Sequence, residues 1–331
     1  IVDERIATYK NFHAKPIDKN DNTSPWITGK PKALSAIEKI LGESYYRGHA
    51  GVFTGGANAV HWITISQKIN SDTIMVSNYT KGAKRKVEEV QTAIETDLVF
   101  PLIRGRDIKR WNSSSSDLYI ILTHMKDQGL KAIPESVMGV EYPKTYSYLS
   151  YFEHSLKEKS ILKKYFNDDA PYYSMFDIGE YSFAPYKVVW PYISKSFDCA
   201  VVGVKNDKYL GKKVDIVDCK LMSISLEDEN EAHYLCALLN SSLVRYTISS
   251  FMIGTQIAPH VISRVKLPKF DETNPIHVHL SNFSKEAHRT KLLNDDDLIS
   301  QTELEIDSLA SKIWDLSSEE LTDVQESLKE S

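Results

Sequence analysis

The stretch "VFPLIRGRDIKRW" (Val99–Trp111) joins an apolar entry to a strongly cationic run that a tryptophan closes. Four cations fall within seven residues, namely Arg104, Arg106, Lys109 and Arg110. A run of like charge is ordinarily a solvated surface, so it indicates function only if an anionic partner meets it. Strand-like alternation would place Arg104 and Arg106 on one face, and we expect Trp111 to anchor the segment in the core.

The composition is that of a globular chain. With 331 residues, 42% hydrophobic and 26% charged, the chain can bury a sizeable core and is long enough for two domains. It contains neither a signal peptide nor an apolar run of the roughly 18 residues that a membrane span requires. Cys199, Cys219 and Cys236 lack the spacing of a disulfide framework or a zinc knuckle, which favours the cytoplasm. Because the chain begins at Ile1 within a polar stretch, we expect it to be part of a larger protein.

The charge is unevenly distributed along the chain. The net charge is −5, yet the segment from Asn294 to the end carries twelve acidic residues against two basic ones. The remainder is therefore mildly basic, and electrostatic arguments apply to local faces rather than to totals. This balance permits a polyanionic partner without requiring one.

Strands and helices are predicted without a regular βαβ alternation. This indicates an α+β fold, strand-rich with helical segments and a C-terminal helical tail. Alternating or β-branched runs predict strands at 61–65, 73–79, 118–124, 186–193, 199–204, 220–226 and 264–270. Helical spacing predicts helices at 32–41, 143–156, 229–249, 306–313 and 317–328. Ser317 and Glu320 have capping-box spacing, and the tail helices should pack through their apolar faces with their acidic faces turned to solvent.

The stretch "DDAPYY" (168–173) resembles a catalytic motif. Amino-methyltransferases of DNA use an Asp/Asn/Ser-Pro-Pro-aromatic motif, whose polar group accepts the amino hydrogens of a flipped base while the aromatic ring stacks on it. Asp169, Pro171 and Tyr172 fit, but Ala170 replaces the first proline, and no glycine-rich loop follows a strand to hold the methyl donor. A structural loop is the preferred interpretation.

Asp218-Cys219-Lys220 resembles the end of a metal-dependent nuclease site. Such a site needs a further carboxylate to share the metal, and Asp198 or Asp207 could supply it. Tripeptides of this kind are common by chance, so an exposed strand is the preferred interpretation.

His277 and His279 have the alternate spacing of two metal ligands on a strand, and His288 is nearby. Their segment "DETNPIHVHLSNF" (271–283) is predicted to be a loop, and no cysteine or carboxylate cluster completes a tetrahedral site. We therefore expect solvent-exposed histidines and no metal.

The stretch "GVFTGGANAVHW" (51–62) is more specific. Gly55 and Gly56 follow Thr54 and allow positive φ with exposed backbone N–H groups, a shape suited to phosphates. The stretch lacks the Lys-Ser/Thr of a P-loop, which argues against a nucleoside triphosphate. A phosphate contact and a tight turn between strands both remain possible interpretations.

In order along the chain, several stretches resemble the C-terminal specificity region of TaqI-like adenine-specific DNA methyltransferases, which bifunctional restriction–modification enzymes and phage-defence methyltransferases of the PglX type share. They are "GVFTGGANAVHWI" (51–63), "ETDLVFPLIRGRDIKRW" (95–111), "YPKTYSYLSYFEHSLKEK" (142–159), "PYYSMFDIGEYSFAPYKVVWP" (171–191), "YLCALLNSSLVRYTI" (234–248) and "MIGTQIAPHVISRVKLPKF" (252–270). Each motif alone is weak, whereas their order and spacing are specific.

The resemblance implies sequence-specific binding of double-stranded DNA. It also implies an N-terminal catalytic domain of the same protein that transfers a methyl group from S-adenosylmethionine, because neither the methyl-donor pocket nor an Asn-Pro-Pro-Tyr motif is found in this chain. We expect this chain to bind no cofactor itself. The expected segments are a connecting and recognition subdomain (1–112), a target-recognition core (113–275) and a C-terminal helical segment (276–331).

DNA presents one charge per about 1.7 Å of its axis, so a positioned row of cations gains from counterion release. The residues predicted to contact DNA are Thr54, Gly55, Gly56, Asn58, Arg104, Arg106, Lys109, Arg110, Lys187, Lys195 and Gln256. Two alternatives stay open, a metal-dependent nuclease domain and a protein-interaction module with a basic face.

Overall fold

The computed structural model describes residues 13–17, 23–24, 26–83, 85–114, 116–126, 131–158, 170–251 and 255–330. Helices and strands are mixed irregularly along these residues, which confirms the predicted α+β class. Contacts divide the chain into two compact units. The central unit comprises residues 48–192 and 200–232, and the terminal unit comprises residues 1–47, 193–199 and 233–331. This grouping differs from the three contiguous segments predicted from the sequence, because both ends of the chain join one unit.

The elements are numbered in chain order. The strands are β1 (His13–Pro16), β2 (Trp26–Gly29), β3 (His49–Ala50), β4 (Trp62–Lys68), β5 (Thr73–Asn78), β6 (Gln91–Glu95), β7 (Val99–Ile103), β8 (Ile108–Lys109), β9 (Asn112–Ser113), β10 (Tyr119–Ile121), β11 (Tyr186–Pro191), β12 (Ala200–Gly203), β13 (Lys205–Asp207), β14 (Gly211–Lys213), β15 (Ile216–Val217) and β16 (Leu221–Leu226). The helices are α1 (Pro31–Ile40), α2 (Asn58–His61), α3 (Glu135–Glu141), α4 (Pro143–Tyr151), α5 (Glu153–Lys157), α6 (Glu229–Asn240), α7 (Ser242–Phe251), α8 (Pro259–Ile262), α9 (Pro275–Leu293), α10 (Asp296–Ile313) and α11 (Ser318–Glu330). Within the described residues, no helix combines the length and the apolar character that crossing a membrane requires.

A six-stranded sheet forms the centre of the central unit. Its order is β15-β7-β10-β4-β5-β6, and neighbouring strands are antiparallel except β15 and β7, which run parallel. Apolar residues of this sheet and of α3 to α5 form a buried cluster. Glu95 fixes α4 to the sheet, because its carboxylate accepts hydrogen bonds from the N–H groups of Lys144 (3.0 Å) and Thr145 (2.8 Å) at the helix N terminus.

A second sheet of the central unit is antiparallel, with the order β12-β11-β16-β3. Strands of both sheets contribute to one buried apolar cluster, which includes Ile103, Ile108, Val189, Val202 and Val217. The chain segment after β7 is therefore held between the two sheets, and this packing fixes where the basic stretch leaves the core.

In the terminal unit, basic residues at α1 meet acidic residues of α11. Three ion pairs join them, Lys30–Glu326 (2.9 Å), Lys32–Glu319 (2.5 Å) and Lys39–Glu320 (2.8 Å). The structure thus corrects the expectation that the acidic face of the last helix turns to solvent, since part of that face is complementary to α1. The predicted capping box is confirmed, with Ser317 N–H donating to Glu320 Oε2 (2.8 Å) and Glu320 N–H donating to Ser317 Oγ (3.2 Å).

The segment 271–283 is a helix rather than the predicted loop. Asn274 caps α9 by accepting the N–H of Ile276 at 2.9 Å, and Pro275 occupies the first turn. An Asn-Pro pair in this position is a helix-start signal that sequence reasoning could have used.

Two other predicted elements differ in extent. The strand predicted at 264–270 is limited to one bridge, between Val265 and Leu41 at the end of α1. The helix predicted at 229–249 is divided at Ser241, whose hydroxyl accepts the N–H of Val244 (3.3 Å) and so starts a new helix.

Glu320 is the centre of the contact between α1 and α11. Its buried carboxylate accepts hydrogen bonds from Lys39 Nζ (2.8 Å), Ser35 Oγ (2.7 Å) and Ser317 N–H (2.8 Å). Burial opposes its ionisation, but these hydrogen bonds outweigh burial and hold its pKa at about 2, below the ordinary 4.5.

We expect Glu320→Gln to lower the free energy of unfolding of the terminal unit by about 1–2 kcal/mol at pH 7, a modest value because Lys39 is partly screened by solvent. The pKa of Glu320 is lower in the folded chain (about 2) than in the unfolded chain (4.5). The stability that the variant loses should therefore be largest above pH 4.5 and disappear as the pH falls toward 2. Urea denaturation across this pH range measures it. The exposed Glu319→Gln is the matched control and should change stability little; equal losses in the two variants would contradict the prediction.

Candidate nucleic-acid interface

Three chain segments bring the glycine-rich stretch and the basic stretch to one place in the central unit. β15 runs parallel to β7, and Val52 pairs in parallel with Asp218 through backbone hydrogen bonds of 2.7 and 3.0 Å to residues 217 and 219. Gly51 permits this approach, because a Cβ there would lie 2.3 Å from the carbonyl oxygen of Asp218. All three segments run in one direction, so the residues that follow them lie at the same end of the paired segments. These are residues 54–56, 104–107 and 219–220.

Residues Thr54 to Gly56 form a turn that leads into α2. Gly55 and Gly56 have φ of 69° and 85°, where side-chain-bearing residues are strained. Thr54 is buried and its hydroxyl donates to the side-chain oxygen of Asn58, whereas Gly56 is exposed with open space around it. The turn, which we call the glycine turn, therefore presents backbone to solvent.

The carboxylate of Asp107 holds the chain after β7. It accepts hydrogen bonds from Arg104 N–H (2.9 Å) and Ser116 Oγ (3.1 Å), and it lies 3.5 Å from Arg104 Nε. The Asp107 carbonyl oxygen accepts the N–H of Ser114 at 2.8 Å. Because Asp107 is buried, these bonds fix the path of the basic stretch.

The structure corrects the expectation that Arg104 and Arg106 share one exposed face. Arg104 is 8% exposed, and its guanidinium lies 5.8 Å from the ring centroids of both Trp62 and Tyr79. A 3-10 turn at Gly105–Asp107 replaces strand alternation, so Arg106 is exposed while Arg104 points into the protein. Arg104 therefore stabilises the fold and does not belong to the exposed cations.

The remaining cations lie beyond this turn. Lys109 is exposed, and Arg110 is half-buried with its guanidinium 5.9 Å from the ring of Trp111. Trp111 is 1% exposed, which confirms that it anchors the stretch in the core. Sequence analysis missed Lys220 as a member of this surface; it is exposed, and a Cβ on Gly105 would lie 3.9 Å from its Cβ. Lys220 is placed there by the parallel pairing of residues 216–218, and no local sequence pattern predicts that pairing.

We call the surface formed by Arg106, Lys109, Arg110 and Lys220 the cationic edge. The four side chains and the glycine turn leave the central unit near the ends of the same three segments. Positive charge beside accessible backbone N–H groups is chemistry that suits anionic oxygens.

The carboxylates of the predicted nuclease motif do not come together. Asp218 is buried, its carboxylate accepts a backbone N–H two residues on (3.3 Å), and burial raises its pKa. Asp207 accepts the hydroxyl of Tyr119 (2.9 Å), while Asp198 pairs with Arg245 (3.3 Å) in the terminal unit. Among the residues that the structure describes, no three His, Cys, Asp or Glu side chains converge to hold a metal ion.

Lys187 is the third predicted DNA contact that the structure places inside the protein, after Arg104 and Thr54. It is 2% exposed, and its ammonium donates to the carbonyl oxygens of Ala184 (2.8 Å) and Asp215 (3.1 Å). Burial lowers its pKa to about 8. The structure corrects the expectation that Lys187 is accessible to a partner, because β11 is a central strand of its sheet.

Lys195 and Gln256 lie together in the terminal unit. Ile193 forms an antiparallel bridge with Gln256, and the Ser194 N–H donates to the carbonyl oxygen of Thr255 at 2.9 Å. Both Lys195 and Gln256 are exposed, so their predicted contact with DNA stays a prediction.

The aromatic residue of "DDAPYY" is not available for the catalytic role. Asp168 and Asp169 lie outside the described residues. Tyr172 is 4% exposed within the apolar cluster, with its hydroxyl 3.0 Å from Ser150 Oγ, so its ring is not placed to stack on a base. The arrangement supports a structural loop.

The three histidines lie on helix α9 rather than in the predicted loop. His277 is buried, its Nδ1 accepts the N–H of Asp271 (3.0 Å), and its ring centroid lies 4.5 Å from that of Tyr234. The expectation of exposure is therefore wrong for His277. His279 is exposed, and His288 is half-buried with Nδ1 2.7 Å from the carbonyl oxygen of Ser284.

We expect Asp107→Ala to destabilise the central unit by about 3–5 kcal/mol, because it removes one partner of a buried ion pair and leaves the Arg104 N–H without its acceptor. Arg106→Ala changes an adjacent but exposed side chain and should stay within about 0.5 kcal/mol of the wild type. Thermal and urea unfolding of the variants measure both. A stable Asp107→Ala protein would mean that the carboxylate does not hold the turn.

No family model matches the chain. Over 168 residues, 50% of its length, the chain is 31% identical to the Type II methyltransferase M.NspV from Nostoc sp., and the aligned part spans 32% of that protein. Among solved structures, the type IIG restriction endonuclease BpuSI aligns with 81% of the chain and 32% of its own length at 12% identity; its TM-score of 0.32 is too low to carry an argument. The chain is thus related to a Type II methyltransferase over half of its length.

Proposed function

We propose that the chain binds double-stranded DNA sequence-specifically, as the target-recognition region of an adenine-specific DNA methyltransferase or restriction–modification enzyme. The observation that carries the proposal is the position of the glycine turn and the cationic edge at one end of three parallel segments. Exposed Arg and Lys side chains beside accessible backbone are the groups that set the register of a protein on the phosphates of a duplex. The relationship to a Type II methyltransferase supports DNA as the partner.

The proposal assigns the chemical step to another domain of the same protein. That domain would bind S-adenosylmethionine and transfer its methyl group to the amino group of a flipped adenine. The buried position of Tyr172 supports this division of roles, because it removes the ring that a base-stacking motif in this chain would need. A cytoplasmic location and a role in phage defence belong to the same proposal.

The cationic edge should contribute uniformly to DNA affinity. We expect alanine variants of Arg106, Lys109, Arg110 and Lys220 each to weaken binding to specific and random duplexes alike. Each variant should also reduce the slope of log affinity against log salt by about one, because it removes one phosphate-binding cation. Fluorescence anisotropy across a salt series measures both quantities.

Lys68→Ala is the matched control for these variants. Lys68 is an exposed lysine at the C-terminal end of β4, about 20 Å along that strand from Trp62, and it belongs to neither the glycine turn nor the cationic edge. If all four variants keep the wild-type affinity and salt slope, the proposal that this surface binds DNA is contradicted, and a protein-interaction module is favoured.

We expect calorimetric titration of S-adenosylmethionine into the 331-residue chain to give no binding heat, because the methyl-donor pocket is assigned to the catalytic domain. A fragment of the same protein that includes that domain should bind the cofactor. Micromolar binding by the chain alone would overturn this assignment and leave the DNA-binding proposal to be judged by the salt series.

A further inference from the structure

The hairpin of β13 and β14 carries four lysines in nine residues, "KNDKYLGKK" (205–213). Its strands pair in antiparallel register, with Lys205 opposite Lys213, Asn206 opposite Lys212, and Asp207 opposite Gly211. Because side chains alternate between the faces of a strand, the first and third pairs share one face and the middle pair lies on the other.

The lysines of the first face are bound to the central unit. Lys205 Nζ pairs with Asp215 Oδ1 at 2.6 Å. Lys213 Nζ donates to the Asp97 carbonyl oxygen at 2.9 Å and lies 4.3 Å from the ring centroid of Phe100. Both ammonium groups are therefore bound to groups of the central unit.

The tip of the hairpin is rigidly built. Asp207 Oδ1 accepts the N–H groups of Tyr209 (2.9 Å) and Leu210 (3.0 Å), and its other oxygen accepts the hydroxyl of Tyr119 (2.9 Å) on the sheet. Gly211 completes the turn with a φ of 71°. The outer face is consequently held in a fixed position relative to the six-stranded sheet.

The outer face and the tip present exposed polar groups, among which Lys208 lies 4.8 Å from the ring centroid of Tyr209. Asn206 and Lys212 are exposed as a cross-strand pair, and Lys208 at the tip is exposed with Nζ 3.8 Å from the exposed carboxylate of Asp117. Ser116 precedes Asp117 in the chain, and its hydroxyl donates to the carboxylate of Asp107 within the basic stretch. The tip therefore lies on the same side of the central unit as the basic stretch.

We propose that this hairpin enters the major groove of duplex DNA as a two-stranded ribbon, with Asn206 and Lys212 at base edges and Lys208 at a phosphate. The inference rests on the proposed function and names the element that reads sequence within it. The major groove, about 12 Å wide, admits a two-stranded ribbon. Asn pairs with adenine edges and Lys with guanine edges, and a fixed ribbon holds both at a defined depth.

The test uses duplexes that the wild-type chain selects from a randomised library, each compared with a scrambled duplex of the same composition. We expect Asn206→Ala and Lys212→Ala each to lower the ratio of affinities for selected and scrambled duplexes by about tenfold, with the affinity for scrambled duplexes nearly unchanged. Lys208→Ala should weaken both duplexes alike and reduce the salt slope by about one. Lys68→Ala is the control, and thermal unfolding verifies that every variant is folded.

The outcomes separate this inference from the proposed function. If the wild type selects a sequence and both variants keep its discrimination ratio, the hairpin does not read bases and the DNA-binding proposal still stands. Equal weakening of selected and scrambled duplexes by Asn206→Ala and Lys212→Ala would also overturn base reading. A wild-type chain that binds no duplex would overturn both proposals.

Discussion

The backbone pairing of Val52 with residues 217 and 219 is the contact on which the candidate interface depends. Gly51 makes it possible, since any side chain there would meet the Asp218 carbonyl oxygen. Segments that are far apart in sequence thereby continue the parallel pairing of β15 with β7. The glycine turn and the basic stretch leave the core together for this reason, and Lys220 joins them.

Burial divides the cations of the chain into two kinds. Arg104 and Lys187 are enclosed and bonded to acceptors of the protein itself, so their charges contribute to the architecture. Arg106, Lys109 and the outer lysines of the hairpin face solvent. A buried cation without a partner is costly, so enclosed cations are paired within the fold, while solvated ones remain available to a polyanion.

The acidic tail has a structural role within the terminal unit. Its last helix binds the lysines of α1 through Glu319, Glu320 and Glu326, and α1 would otherwise add positive charge to the surface of that unit. The uneven charge along the sequence is therefore partly neutralised in space. In the central unit, by contrast, no acidic helix among the described residues forms comparable ion pairs with the exposed lysines of the hairpin or of the cationic edge.

Local periodicity, turn chemistry and side-chain size were enough to predict the fold class, most strand positions, the capping box at Ser317 and the anchoring of Trp111. The sequence also identified the glycine turn and Arg106. Tertiary structure decided which cations are exposed, since burial of Arg104 depends on Trp62, Tyr79 and Asp107 packed around it. It also decided that Lys220 lies on the candidate interface, because parallel pairing between distant segments leaves no local pattern in the sequence.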